Sequence, residues 1–101
     1  ARIALAILDA LRRLKWEIGQ RKLAQLLKGS RAKDMRLYGY DHSPYYGRLP
    51  VFTLREVEGL IGQLVAQGYL KTIGGELPVL KLTPQGQIAL QRRATIPLHL
   101  P

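Results

Sequence analysis

The residue types that usually carry enzyme chemistry are sparse in this 101-residue sequence. It contains no cysteine, which excludes disulfides and thiolate metal sites. The two histidines, His42 and His99, are far apart and show no metal-binding spacing. Neither serine, Ser30 or Ser43, lies in a G-x-S-x-G turn, and there is no G-x-x-x-x-G-K-S/T phosphate loop. The sequence therefore predicts a domain without catalytic residues, metal ligands or a cofactor of its own.

Phosphate binding is the chemistry that the composition favours. Lys and Arg number 16 against 7 Asp and Glu, which gives a formal net charge of +9. Such a balance favours a polyanionic partner, nucleic acid or an acidic membrane surface, although a merely basic soluble protein would share it. No apolar run approaches the roughly 20 residues that a bilayer span needs, and no signal peptide is visible. We expect no membrane partner and a cytoplasmic, nucleoid-associated location.

Most basic residues lie before residue 37, and several surround the turn at Gly29 and Ser30. Ser30 is predicted to be the N-cap of a short helix through Tyr38. The free N–H groups at such a helix start favour an anion, and Lys28, Arg31 and Lys33 flank it, so the pattern predicts a phosphate site. A plain helix cap with solvated lysines is the alternative.

Periodicity predicts the elements that hold this site. Apolar spacing predicts a first helix in residues 1–16, and a second helix that ends at Gly29. Thr53 and Glu56 fit a capping box at the start of a fourth helix. The runs YLKTI and VLKLT predict a β-hairpin, and Thr83 with Pro84 predicts the start of a last helix. The chain opens in a helical pattern, so we expect a piece of a longer protein.

This order of elements predicts a mainly α fold with a small β-hairpin, a winged helix-turn-helix of about five helices and a two-stranded wing. Residues 1–93 would form the domain and residues 94–101 a C-terminal tail. The fourth helix would be the major-groove reader, but its outward face has Arg55 beside Glu58, and two glycines. Sequence-specific readout through this helix is therefore not expected.

Several motifs together resemble the RQC domain, the winged helix of RecQ-family DNA helicases. They are a basic residue before Gly29 and Ser30, then Y-G-x-D at 38–41 and Y-G at 46–47, followed by LIGQLVAQGYL and LKLTPQG. The likeness spans roughly residues 3–92. The Y-G-x-D and Y-G elements are the more specific part, since GYL and LT occur in many winged helices.

The resemblance implies a non-catalytic domain that binds duplex, forked and sometimes quadruplex DNA beside a helicase motor. The motor would supply ATP and Mg²⁺ chemistry with 3′–5′ polarity, and it would precede this chain together with its zinc-binding cysteines. Carried over to this sequence, the phosphate contacts fall on Lys28, Ser30, Arg31 and Lys33, with Arg55 as a weaker candidate.

The wing that this resemblance implies is short. Its tip, GGELP, has only Leu77 as an apolar candidate for separating strands, so shorter bacterial-type wings are the nearer comparison. Lys71 and Lys81 are predicted to point outward from the hairpin and to be further DNA contacts.

The four tyrosines of the glycine-rich segment admit two roles. Aromatic side chains can stack on exposed bases, or they can pack a loop onto the core. Packing is expected for Tyr38 and Tyr46. Tyr40 and Tyr45 are candidates for base stacking.

Two other classes of winged helix stay open. A transcriptional regulator would dimerise and prefer one DNA sequence. A protein-interaction module would bind its partner with little dependence on salt. The outward face of the fourth helix has few side chains that could read bases, which argues against the regulator. The basic N-terminal half argues against the protein-interaction module. Together they favour a monomeric, DNA-binding helicase accessory domain.

Overall fold

A computed structural model describes residues 2–101, which form five α-helices and one two-stranded antiparallel sheet. In chain order the elements are α1 (Arg2–Arg12), α2 (Gln20–Lys28), α3 (Lys33–Leu37), a 3-10 turn (Tyr40–His42), α4 (Leu54–Ala66), β1 (Leu70–Ile73), β2 (Val79–Leu82) and α5 (Pro84–Arg92). Leu70 lies opposite Leu82 in the hairpin. This architecture confirms the predicted winged helix-turn-helix.

The helix α4 begins where the capping box predicted. The Thr53 hydroxyl accepts a hydrogen bond from the Glu56 N–H at 3.1 Å, and the Glu56 carboxylate accepts one from the Thr53 N–H at 2.8 Å. The apolar stripe of this helix is buried in the core, at Val57, Leu60, Ile61 and Leu64. Local start signals and a helical period together define this element.

The helices α2 and α4 pack against each other. At one end the Gln20 side chain donates to the Glu58 carbonyl at 2.8 Å. At the other end the Lys28 ammonium donates to the Pro50 carbonyl at 2.7 Å. The C-terminus of α2 therefore lies beside the segment that leads into the N-terminus of α4.

The end of α2 is closed by a Schellman motif. Gly29 adopts the left-handed conformation with φ 84°, as predicted, and the Ser30 N–H donates to the Gln25 carbonyl at 2.9 Å. A more distant segment caps the same helix end, because the Gly47 N–H donates to the Leu26 carbonyl at 2.9 Å. The glycine-rich segment thus satisfies carbonyls that the end of a helix leaves unpaired.

The hairpin is joined to the core along β2. Leu70 and Leu80 are buried, and the Leu80 N–H also donates to the Ile18 carbonyl at 2.8 Å. None of the helices in residues 2–101 has the length and apolar character needed to cross a bilayer.

Residues 94–101, which were predicted to form a tail, are docked on the domain. Ile96 is fully buried. The Gln63 side chain donates to the His99 carbonyl and accepts from the His99 N–H, both at 2.8 Å. The Gln67 side chain donates to the Pro97 carbonyl at 2.8 Å. The packed domain therefore continues beyond the boundary predicted at residue 93.

Candidate nucleic-acid interface

The predicted N-cap role of Ser30 is wrong. The helix α3 begins at Lys33, with Ala32 at its N-cap. The Ser30 hydroxyl instead accepts a hydrogen bond from the Ala32 N–H at 3.1 Å. The Ser30 backbone carbonyl accepts a hydrogen bond from the Tyr46 hydroxyl. A helix of five residues also has little dipole to offer a phosphate, and Asp34 occupies its first turn. The remaining basis for a site is the set of side-chain charges around the turn.

The acid in this region is paired. Asp34 forms an ion pair with Lys22 of α2, which holds α3 against that helix and balances the one negative charge of its first turn. Its neighbours Arg31 and Lys33 are exposed and form no ion pair within residues 2–101. Their charges are therefore available to an anionic partner.

Other acids of the described chain are also paired away from this turn. Glu58 lies 3.9 Å from Arg21, and Glu17 lies 3.0 Å from Lys81. Five cations on α2, α3, α4 and the intervening turn form no ion pair within the described residues, and they define what we call the basic surface: Lys28, Arg31, Lys33, Arg36 and Arg55.

Arg36 was missed by the sequence reasoning. It follows Lys33 by three residues on α3, so the two side chains share one helix face, while Met35 is buried. The helical period around buried Met35 was the signal that could have found it. Leu37, the last residue of α3, is exposed.

Lys28 has a structural contact as well as a charge. Its ammonium group donates to the Pro50 carbonyl, so the side chain is anchored beside the segment that precedes α4. Two of the three ammonium hydrogens remain for other acceptors. Lys28 therefore places a positive charge between the C-terminus of α2 and the N-terminus of α4, where Arg55 lies.

The outward face of α4 has little to read bases with. The Gln63 amide is bound by the backbone of His99, and Gly62 lies next to the Gln20 side chain. The Glu58 side chain is half-buried. Arg55 is the exposed cation of this helix in the described structure. Base-edge readout needs several free Arg, Lys, Asn or Gln side chains in series, and this face lacks them.

Two tyrosine predictions are corrected by burial. Tyr38 was expected to pack but is 59% exposed, whereas Tyr40 is only 8% exposed and so has no free face for a base. The rings of these two residues meet at 5.9 Å between centroids. Gly39, between them, has a left-handed backbone with φ 73°.

The consecutive tyrosines at 45 and 46 have separate partners. Tyr46 packs as predicted, with its hydroxyl donating to the Ser30 carbonyl. The half-buried Tyr45 donates its hydroxyl to Asp9 at 2.5 Å, and the guanidinium of Arg48 lies 5.2 Å from its ring centroid. Base stacking by Tyr45 stays a prediction, with part of the ring already covered.

The wing carries one exposed cation. Lys71 points to solvent as predicted, whereas Lys81 is half-buried and paired with Glu17. Leu77 is 87% exposed at the tip. Of the predicted wing contacts, Lys71 and Leu77 are thus accessible in the described chain, and the charge of Lys81 is largely balanced.

The fold and its charges define a winged-helix domain with a basic surface at the junction of α2, α3 and α4. No group of three or more His, Asp or Glu side chains in residues 2–101 could hold a metal ion. The sequence matches the family model of the RQC domain over residues 1–101, and the chain belongs to that family. The match confirms the resemblance drawn from the sequence motifs. A search of curated proteins finds no match.

Proposed function

We propose that this chain is the DNA-binding accessory domain of a RecQ-like, ATP-dependent DNA helicase. The observation that carries the proposal is the basic surface, whose five cations form no ion pair within residues 2–101. Unpaired lysines and arginines of this kind release counterions from DNA when they contact phosphates, which drives binding. Membership of the RQC domain family supports the helicase context.

The domain would hold duplex or forked DNA by its backbone and its shape. Phosphate contacts position a protein on DNA without reading sequence. The outward face of α4 supports this mode, because Arg55 is its exposed cation and the Gln63 amide is occupied by the tail. Binding is therefore expected to be nearly independent of base sequence.

Within the parent helicase, the domain would grip the duplex ahead of the motor, so that 3′–5′ translocation pulls the strands across it. The motor would use ATP and Mg²⁺, and this domain would need neither for binding. We expect a monomer that acts in the cytoplasm on nucleoid DNA. Quadruplex DNA is a further ligand to test, because the family resemblance implies it for some members.

Fluorescence anisotropy of the domain with labelled DNA tests the proposal. The probes are a blunt duplex, a forked duplex, a single strand and a quadruplex, each in two unrelated sequences across a salt series. The expected result is tighter binding to duplex or fork, equal for both sequences, with a steep loss as salt rises. Absence of binding at moderate salt would favour a protein-interaction module, and preference for one duplex sequence would favour a transcriptional regulator.

A further inference from the structure

A second cluster of cations lies outside the basic surface. It lines a groove of about 1030 Å³ between α1, the end of α5 and the loop that contains Tyr45. Five arginines line this groove, and we call it the arginine groove: Arg2, Arg12, Arg13, Arg48 and Arg93. Asp9 is the acid that lines it in the described structure.

Asp9 is fully engaged with its neighbours. Its carboxylate accepts hydrogen bonds from the Nε atoms of Arg12 at 2.8 Å and Arg13 at 2.9 Å, and from the Tyr45 hydroxyl at 2.5 Å. One negative charge therefore orients two arginines and a tyrosine, and the groove keeps a clear excess of positive charge.

The other arginines come from different segments. Arg48 lies over the Tyr45 ring and donates to the Pro44 carbonyl at 3.2 Å. Arg93 follows α5 as its C-cap, with φ 50°, a left-handed conformation in which Gly or Asn is the usual residue. An arginine at this position adds charge to the groove despite the unfavourable backbone geometry.

The lining suits a single nucleic-acid strand. Guanidinium groups bind phosphates with paired, charge-assisted hydrogen bonds. Between the arginines the groove also exposes apolar side chains from three elements, including Leu5, Leu82 and Leu90. Single strands are held by such a combination, a cationic path for the backbone and apolar or aromatic surface for sugars and bases.

The tyrosine pair joins the arginine groove to the basic surface. Tyr46 hydrogen-bonds the Ser30 carbonyl beside Arg31, and the preceding Tyr45 hydrogen-bonds Asp9 inside the groove. A strand that leaves a duplex on one surface can therefore reach the other by crossing a single loop.

We propose that the arginine groove binds one unpaired DNA strand through its phosphates, so that at a fork the duplex lies on the basic surface and a single strand leaves along the groove. This inference rests on the proposed function in taking DNA as the polyanion. It adds a second DNA site, formed by residues that the basic surface does not include.

A double variant, Arg48→Gln with Arg93→Asn, tests the groove. Asn suits the left-handed backbone at residue 93 and removes the charge. The matched control is Lys15→Gln with Arg92→Gln, which removes the same charge from exposed residues that do not line the groove. Anisotropy is measured with a forked duplex, a blunt duplex and a single strand of equal label across a salt series.

The groove variant is expected to bind the fork about tenfold more weakly than the control does, with the blunt duplex changed less than about twofold. The salt slope for the single strand should fall by about 1.4, since each lost phosphate contact lowers it by about 0.7. A second variant, Arg2→Gln with Arg93→Asn, leaves the Arg48 contact to Pro44 intact and should show the same loss. Circular dichroism melts confirm that each variant is folded.

Three results would overturn the groove proposal. They are equal losses for fork and blunt duplex, groove variants that bind like the control, and an oligoglutamate peptide that binds the groove more tightly than a single strand of equal charge. Failure of the proposed function is distinct, because the unmodified domain would then bind neither duplex nor fork.

Discussion

Gly29 and Gly47 lie in direct contact, and a Cβ atom on Gly29 would come within 2.9 Å of the Cα of Gly47. Both backbones are left-handed, with φ values of 84° and 74°. The contact fixes the turn that follows Lys28 to the loop that leads towards α4. The two glycine motifs of the sequence are thus the two halves of one structural junction beneath the basic surface.

Replacing Gly29 with Ala should destabilise the domain strongly. The left-handed backbone alone costs a non-glycine residue roughly 1–2 kcal/mol, and the new methyl group would also collide with Gly47 backbone. We expect a loss of more than about 2 kcal/mol in the free energy of unfolding, measured by urea denaturation followed by circular dichroism.

Gly59→Ala is the matched control for that change. Gly59 lies inside α4 with nothing within 4 Å of an added Cβ atom, so alanine should stabilise the helix by up to about 1 kcal/mol. Similar effects at both glycines would show that the contact with Gly47 does not hold the junction.

The Asp9 network should give stability a pH dependence. Partial burial acts to raise the pKa of Asp9, but hydrogen bonds from Tyr45, Arg13 and Arg12 outweigh it and lower that pKa below its ordinary value. The stabilisation is therefore present above the unfolded-state pKa of about 3.9 and is lost as the pH falls through the lower folded-state pKa. Asp9→Asn should cost about 1 kcal/mol at pH 7, and its difference from the unmodified domain should close as the pH falls through the lowered folded-state pKa of Asp9.

Urea denaturation from pH 2.5 to pH 8 measures this difference, with Asp41→Asn as the control. Asp41 loses the same charge, but its Oδ1 accepts no hydrogen bond in the described structure. A gap between Asp9→Asn and the unmodified domain that stays constant across this range would contradict the network.

The docked segment at residues 94–101 should contribute to stability. Ile96 is fully buried, so Ile96→Ala is expected to cost about 3 kcal/mol, whereas Leu100→Ala should change stability by less than about 0.5 kcal/mol because that side chain is 56% exposed. Thermal melts of the two variants test this. Equally small effects of both substitutions on stability would indicate that residues 94–101 form a tail, as predicted from the sequence.

The tip of the wing should matter little for binding. Leu77 is 87% exposed, so Leu77→Ala should change the free energy of unfolding by less than about 0.5 kcal/mol. Its affinity for blunt duplex should change by less than about twofold. Anisotropy with fork and blunt duplex checks this prediction. A selective loss of fork binding would reveal that the short wing opens base pairs.

The elements that the sequence predicted well carry local signals. The capping box of Thr53 and Glu56, the glycine at the end of α2 and the alternation in the hairpin each depend on residues that are close in sequence. Their physical causes lie within one or two turns of chain, so they could be predicted without tertiary contacts.

The features that were missed depend on distant contacts. Ser30 is held by Tyr46 and does not cap α3. The tail docks through backbone groups of His99, which leave no pattern in the sequence.

The two proposed DNA surfaces differed in how far the sequence revealed them. Lys28, Arg31 and Lys33 stand within six residues, so their cluster was visible as a run of charge. The arginine groove assembles residues as far apart as Arg2 and Arg93, and only folding brings α1 and α5 together.

The most direct test of phosphate-mediated binding is the salt dependence of duplex affinity in the double variant Arg31→Gln with Lys33→Gln. Lys28 is left in place because it also holds the Pro50 carbonyl. The matched control is the Lys15→Gln with Arg92→Gln protein, and the readout is anisotropy with two unrelated duplex sequences. We predict an equal loss of affinity for both sequences and a log–log salt slope reduced by about one for each phosphate contact removed. Unchanged affinity and salt slope, or a loss of affinity confined to one sequence, would contradict phosphate-mediated binding by the basic surface.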